Sequence, residues 1–279
     1  MHPFADTEPQ LNRILRAMER SFALPIVGLL VSTAVLGCGK KEDATPVAPS
    51  ASALVASAAD PTAATWHYVL DTKGTAHVEM PGLNEHIVGD TSATAGTLEV
   101  SPHDLAQSRG LIRVDLSTFT THTFGNEKDA DQTKHARTWL EAVVDGKTNE
   151  DMRWAEYAIR SIDGLSSADL ARVAPTKDGD GDLRTVTMTT HGDLRIHGRQ
   201  VQKDDVVTVS FRYPSGAAAD AKPTRIEVKP KQPIRVVLKE YDVAPRDPGG
   251  KALAWTTSLL SKVAETADVT FDLQAAPAP

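Results

Sequence analysis

From Arg184 to Gly198 the chain reads RTVTMTTHGDLRIHG. Thr185, Thr187, Thr189, His191, Asp193, Arg195 and His197 are polar, whereas Val186, Met188, Leu194 and Ile196 between them are apolar. A period of two places alternate side chains on opposite faces of an extended backbone. The stretch therefore predicts a long strand with one wet face and one apolar face. Gly192 and Gly198 fall on the apolar side, where a strand can kink or bulge. The alternation recurs downstream, with Val207, Val209, Phe211 and Tyr213 set against Val206, Thr208, Ser210 and Arg212. Upstream, Ile112, Val114 and Leu116 alternate with Arg113, Asp115 and Ser117; near the C-terminus, Val269, Phe271 and Leu273 alternate with Thr270 and Asp272. Shorter strand candidates cover 66–70, 76–80, 96–100, 155–162, 225–228 and 234–239. Many strands separated by turn residues predict an all-β, antiparallel sandwich or barrel.

Helical spacing is scarce. Ala136, Trp139, Leu140, Val143 and Val144 fit one apolar face of at most four turns. SPHDL at 101–105 offers a cap and a first-position proline, so it predicts a short turn. Residues 166–174 and 254–265 are further helical candidates. Residues 42–64 are rich in Ala, Ser and Pro without a sustained apolar period, and predict a flexible tether. The chain thus divides into a leader (1–37), a cysteine and tether (38–64), one domain (65–274) and a frayed tail (275–279).

Charge and cysteine content narrow the function. With 30 Lys+Arg against 37 Asp+Glu the formal charge is −7, and no basic block is present to track a phosphate backbone, so nucleic acid is excluded as a partner. The single cysteine rules out an internal disulfide and any zinc site built from several thiolates. Its position is informative. Arg13, Arg16 and Arg20 precede the apolar run FALPIVGLLVSTAVL, 22–36, and small residues follow just before Cys38. That order is the layout of a secretory signal, with Met1 or Met18 as its start. The run is short for a membrane span, which needs roughly 20 residues. Val35-Leu36-Gly37-Cys38 resembles the lipobox of bacterial lipoproteins. The resemblance implies that Cys38 carries a diacylglycerol, that the leader is cut, and that the new amine is acylated with a palmitate-type chain. Several buried chains hold a membrane durably where one does not. Gly39 stands where an aspartate is linked to inner-membrane retention, so the expected location is the outer membrane, facing the periplasm.

The domain itself resembles the YceI-like family. Gly192-Asp193-Leu194-Arg195-Ile196-His197-Gly198 is similar to that family's G-x-L-x-apolar-x-G strand, followed by a charged turn and VVTVSF. Gly89 and Gly96 in GLNEHIVGDTSATAGTLEV fall near the family's glycine pair. DLSTFTT before DADQTKHARTWLEA is similar to its strand, loop and helix, and RWAEYAIRSI to a later strand, with Tyr157 where Phe is usual. The family's proline before that strand and its aromatic near Val78 are missing. The resemblance covers about residues 66–274. It implies an extended, lipocalin-like antiparallel β-barrel with one or two short helices, enclosing an isoprenoid-type chain.

An eight-stranded barrel leaves room for one ligand when its inward side chains do not fill it. The lining expected from the apolar faces is Val114, Leu116, Trp139, Tyr157, Val186, Met188, Leu194, Ile196, Val209 and Phe211. The expected guest is an amphiphilic isoprenoid or fatty lipid, with no other cofactor and no metal. Enzymatic signatures are missing: there is no HExxH, phosphate loop or dinucleotide fingerprint, and no local nucleophile–His–carboxylate motif. His122 and His135 flank a loop with Asp129 and Asp131. His191 and His197 lie about 20 Å apart by strand rise, too far to share an ion, and the histidines read as solvated surface residues. KDGDGD at 177–182 lacks the Gly and Glu positions of a calcium loop and predicts a polar hairpin turn. A non-catalytic envelope interaction module with a filled barrel, and a hydrolase, remain as alternative readings; the sequence leaves the oligomeric state open.

Overall fold

The computed structural model describes residues 53–56, 65–81, 86–247, 249–253 and 264–279. Its strands are β1 (Trp66–Leu70), β2 (Thr75–Pro81), β3 (His86–Thr91), β4 (Thr94–Val100), β5 (Arg109–Asp115), β6 (Thr120–Thr121), β7 (Val143–Val144), β8 (Lys147–Thr148), β9 (Trp154–Asp163), β10 (Thr176–Asp178), β11 (Gly181–Ile196), β12 (Arg199–Pro214), β13 (Arg225–Pro230), β14 (Ile234–Val237) and β15 (Thr266–Pro277). The one α-helix among the described residues, α1, spans Lys128–Trp139.

Eight staves in chain order make a closed up-and-down barrel. Four of them are broken strands. β1 pairs with the C-terminal half of β15 and β2 with its N-terminal half, so β1 and β2 form one interrupted stave. The pairs β3 with β4 and β5 with β6 follow alongside in the same way. β9, β11 and β12 are continuous, and β13 with β14 runs back along β15. The β1–β15 ladder closes the circle at the end of the barrel built by β1, β4, β5, β9, β11, β12, β13 and β15, which leaves no open edge there. All pairings are antiparallel, as alternation and short turns require.

The longest hairpin, β11–β12, turns at His197–Gly198 with both residues at positive φ, 50° and 69°. That is the backbone a two-residue hairpin loop needs to match strand twist. The predicted kink is present: the β9–β11 register shifts between His191 and Gly192. A Cβ at Gly192 would lie 2.5 Å from the Ala158 carbonyl oxygen and 2.6 Å from the Tyr157 ring. Residues 177–182 form the tight β10–β11 turn, with Asp178 opposite Gly181.

Five readings of the sequence change, and one falls outside the described residues. The helix begins at Lys128 and ends at Trp139, while Val143 and Val144 form β7. Residues 166–174 hold only a 3-10 turn, Leu170–Arg172, capped by the Asp169 carboxylate. The 254–265 candidate lies outside the described residues except for Ala264 and Glu265. The odd-numbered face of β11 is not wet beyond the kink, for Asp193 and Arg195 are buried. There Arg195 and Arg113 each hold one oxygen of buried Glu156 at 2.9 Å, and Arg160 pairs with Asp193. Part of the presumed tether covers this layer: Leu54 is buried and its N–H donates to Glu156 Oε2 at 3.0 Å. His197 is also buried rather than solvated, with Nε2 2.6 Å from Glu141 Oε2 and Nδ1 2.9 Å from the Tyr241 carbonyl.

Candidate functional site

The barrel encloses a cavity of about 820 Å³. This volume lies within the range of about 300–1,000 Å³ typical of small-molecule sites. The inward set of each stave builds its wall. On β11 these are the even positions, and on β12 the odd ones, because Met188 stands opposite Val207 and Leu194 opposite Val201. One end is packed shut. Tyr68, Leu70, Val186, Leu170 and Tyr213 fill it and leave no room for a guest. The Tyr68 hydroxyl is satisfied there by the Pro223 carbonyl at 3.0 Å, and the Arg184 guanidinium lies over the Tyr213 ring at 4.8 Å.

The other end opens beside α1. Lys128, Asp131, Gln132, His135 and Trp139 line the cavity at helical spacing, yet Lys128, Asp131 and His135 are exposed. Phe124, 40 % exposed, joins them. The Asp129 carboxylate holds this loop by accepting from the N–H groups of Phe124 (3.0 Å) and Gly125 (2.7 Å), and those bonds keep its pKa low. His135 and Trp139 stack with ring centroids 6.5 Å apart.

Nine of the ten predicted lining residues stand in the wall: Val114, Leu116, Trp139, Tyr157, Met188, Leu194, Ile196, Val209 and Phe211. Val186 does not. It is fully buried in the packed end, because the inward face of β11 meets other side chains there before it meets the void. Cys38 lies outside the described residues.

Sequence reasoning missed two groups. Phe119, buried and part of the wall, follows the short 3-10 turn Leu116–Thr118, where no periodicity marks it; it packs so closely on Gly89 that a Cβ there would lie 2.6 Å from its ring. The second group is polar. Lys203 and Asp205 belong to the inward face of β12, and carrying the parity of Val207 and Val209 two steps back would have found them. The Tyr157 hydroxyl lies 3.1 Å from both Thr190 Oγ1 and the Lys203 carbonyl. Lys203 Nζ donates to the Arg235 carbonyl at 2.6 Å, bridging a place where β12 and β14 do not pair. Asp205 Oδ1 accepts from the Val206 N–H at 3.0 Å, while Oδ2 is buried without a hydrogen-bond partner. Burial pushes the Asp205 carboxyl up to about 6 and the Tyr157 phenol to about 12. The site is therefore a largely apolar chamber that carries a short polar band on β9, β11 and β12.

Fold and site together define an antiparallel eight-stranded barrel around a largely apolar chamber. Solved structures similar to it include BcnA of Burkholderia cenocepacia, at 15% identity over 74% of this chain and 98% of that one, with a TM-score of 0.46. A polyisoprenoid-binding domain from Saccharophagus degradans, implicated in plant cell wall breakdown, is 16% identical over 76% and 98%, with a TM-score of 0.47. The YceI protein of Campylobacter jejuni is 12% identical over 68% and 85%, with a TM-score of 0.37. No protein-family model matches the sequence, and no curated protein matches it.

Proposed function

We propose that this protein binds or carries one amphiphilic lipid with an isoprenoid-type or fatty chain, and that it does so without catalysis. The observation that carries the reading is the 820 Å³ apolar chamber inside a closed barrel. An interior left unfilled by its own side chains is costly to maintain unless a guest occupies it. Each methylene transferred from water into such a wall gains roughly 0.8 kcal/mol, so chain length alone supplies affinity. The polar band fits the polar end of an amphiphile: Asp205 Oδ2 accepts a hydrogen bond from its head group. The isoprenoid assignment rests on the motif resemblance around Gly192–Gly198.

The leader and Cys38 support a location at the bacterial envelope, with the barrel anchored through acylated Cys38 and facing the periplasm from the outer membrane. Organic extraction of protein purified from its native host, followed by mass spectrometry, tests the carrier reading. A recurrent lipid at near-unit stoichiometry supports it. An empty protein that also fails to take up an added isoprenoid alcohol overturns it. Cys38→Ser tests the anchor separately: the variant should leave the membrane fraction or remain uncleaved, and unchanged partition would remove the anchor.

A further inference from the structure

We propose that the outer face of β2, β3 and β6 holds a divalent transition-metal site, with zinc as its fitting ion, made by His77, Asp90 and His122. Strand register assembles it. His77 on β2 stands directly opposite Asp90 on β3. His122 follows β6, whose Thr120 pairs with Asp90, and its own N–H donates to the Val88 carbonyl at 2.9 Å. The Asp90 carboxylate lies between the two rings, with Oδ1 2.8 Å from His77 Nδ1 and Oδ2 3.4 Å from His122 Nδ1. One donor atom from each residue falls within 4.8 Å of the others. Donors about 2.0–2.2 Å from a shared tetrahedral ion lie about 3.3–3.6 Å apart, so side-chain rotations that draw the three atoms somewhat closer complete the site.

The donor set is chemically specific. Two imidazole nitrogens and one carboxylate oxygen suit zinc, with a fourth, solvent-facing position left for water. The surroundings supply the usual outer partner of a metal-bound histidine. Glu79 Oε1 lies 3.3 Å from His77 Nε2, ready to accept its proton when Nδ1 binds the ion. The other Glu79 oxygen is 3.2 Å from His86 Nε2, which steadies that carboxylate. This site is on the opposite side of the wall from the lipid chamber, and neither depends on the other. Its consequence is mechanical. β6 pairs with β3 at only two positions and leads into α1 at the mouth, so an ion shared by His77, Asp90 and His122 pins the segment that carries that helix.

Equilibrium dialysis of the untagged mature protein against zinc chloride, with inductively coupled plasma quantification, tests the site. One zinc per chain is expected. His122→Ala and Asp90→Asn should each weaken binding more than tenfold, and Glu79→Gln by about tenfold. His103→Ala, a histidine remote from the cluster, should bind as the parent does. The thermal midpoint should rise with zinc in the parent and not in His122→Ala. No bound zinc, or binding unchanged by both His122→Ala and Asp90→Asn, overturns the proposal.

Discussion

Asp205→Asn should stabilise the protein at neutral pH and leave it unchanged in acid. The carboxyl faces the chamber, has one oxygen without a partner, and is raised by burial from its ordinary 3.8 to about 6. A shift of that size corresponds to about 3 kcal/mol between the two protonation states. Solvent reaches part of the group, so screening reduces the usable amount to about 1–2 kcal/mol. The sign follows from proton linkage. Because the folded state binds this proton more tightly than the unfolded chain, the penalty is nil below pH 3.8. It grows as pH rises towards 6 and is complete above. Asparagine keeps the acceptor for the Val206 N–H and never ionises. Urea denaturation at pH 7.5 should therefore show the variant about 1–2 kcal/mol more stable, which is about 2–8 °C in thermal midpoint for a chain of this size. At pH 3.5 the two curves should coincide. A variant no more stable at pH 7.5, or one equally favoured at both pH values, would refute the claim that an ionised carboxylate is held against an apolar wall.

Leu194→Arg puts an unpaired charge into the chamber wall, and the folded variant should lose binding of a fluorescent polyene probe by at least tenfold in titration; retained binding would mean that Leu194 does not contact the guest. Gly192→Ala forces a methyl against the Ala158 carbonyl and the Tyr157 ring, so the urea midpoint should fall by the equivalent of about 1–3 kcal/mol. Glu156→Ala removes the carboxylate that buried Arg195 and Arg113 share and frees the Leu54 N–H. Unfolding free energy should drop by about 3–5 kcal/mol, and limited proteolysis should cut earlier near residues 53–56.

Alternation alone determined the long strands, their inward faces and the antiparallel all-β class, because side-chain direction in a strand depends only on parity. Local chemistry also made the kink at Gly192 legible, whereas the turn at His197–Gly198 and the cap at Asp169 emerged only from the structure. Periodicity could not tell where along a correctly assigned face packing gives way to void. Val186 and Met188 share that face two residues apart, yet only Met188 reaches the chamber. Nor could it place residues that ring closure and register bring together from distant positions. Glu156 meets Arg113 and Arg195 across the β5–β9 and β9–β11 ladders, and Asp90 meets His77 and His122 across β2, β3 and β6, once strand register is set. Parity is a property of neighbours in the chain, whereas a cavity and a cross-strand cluster are properties of the closed sheet. Only the tertiary structure could decide them.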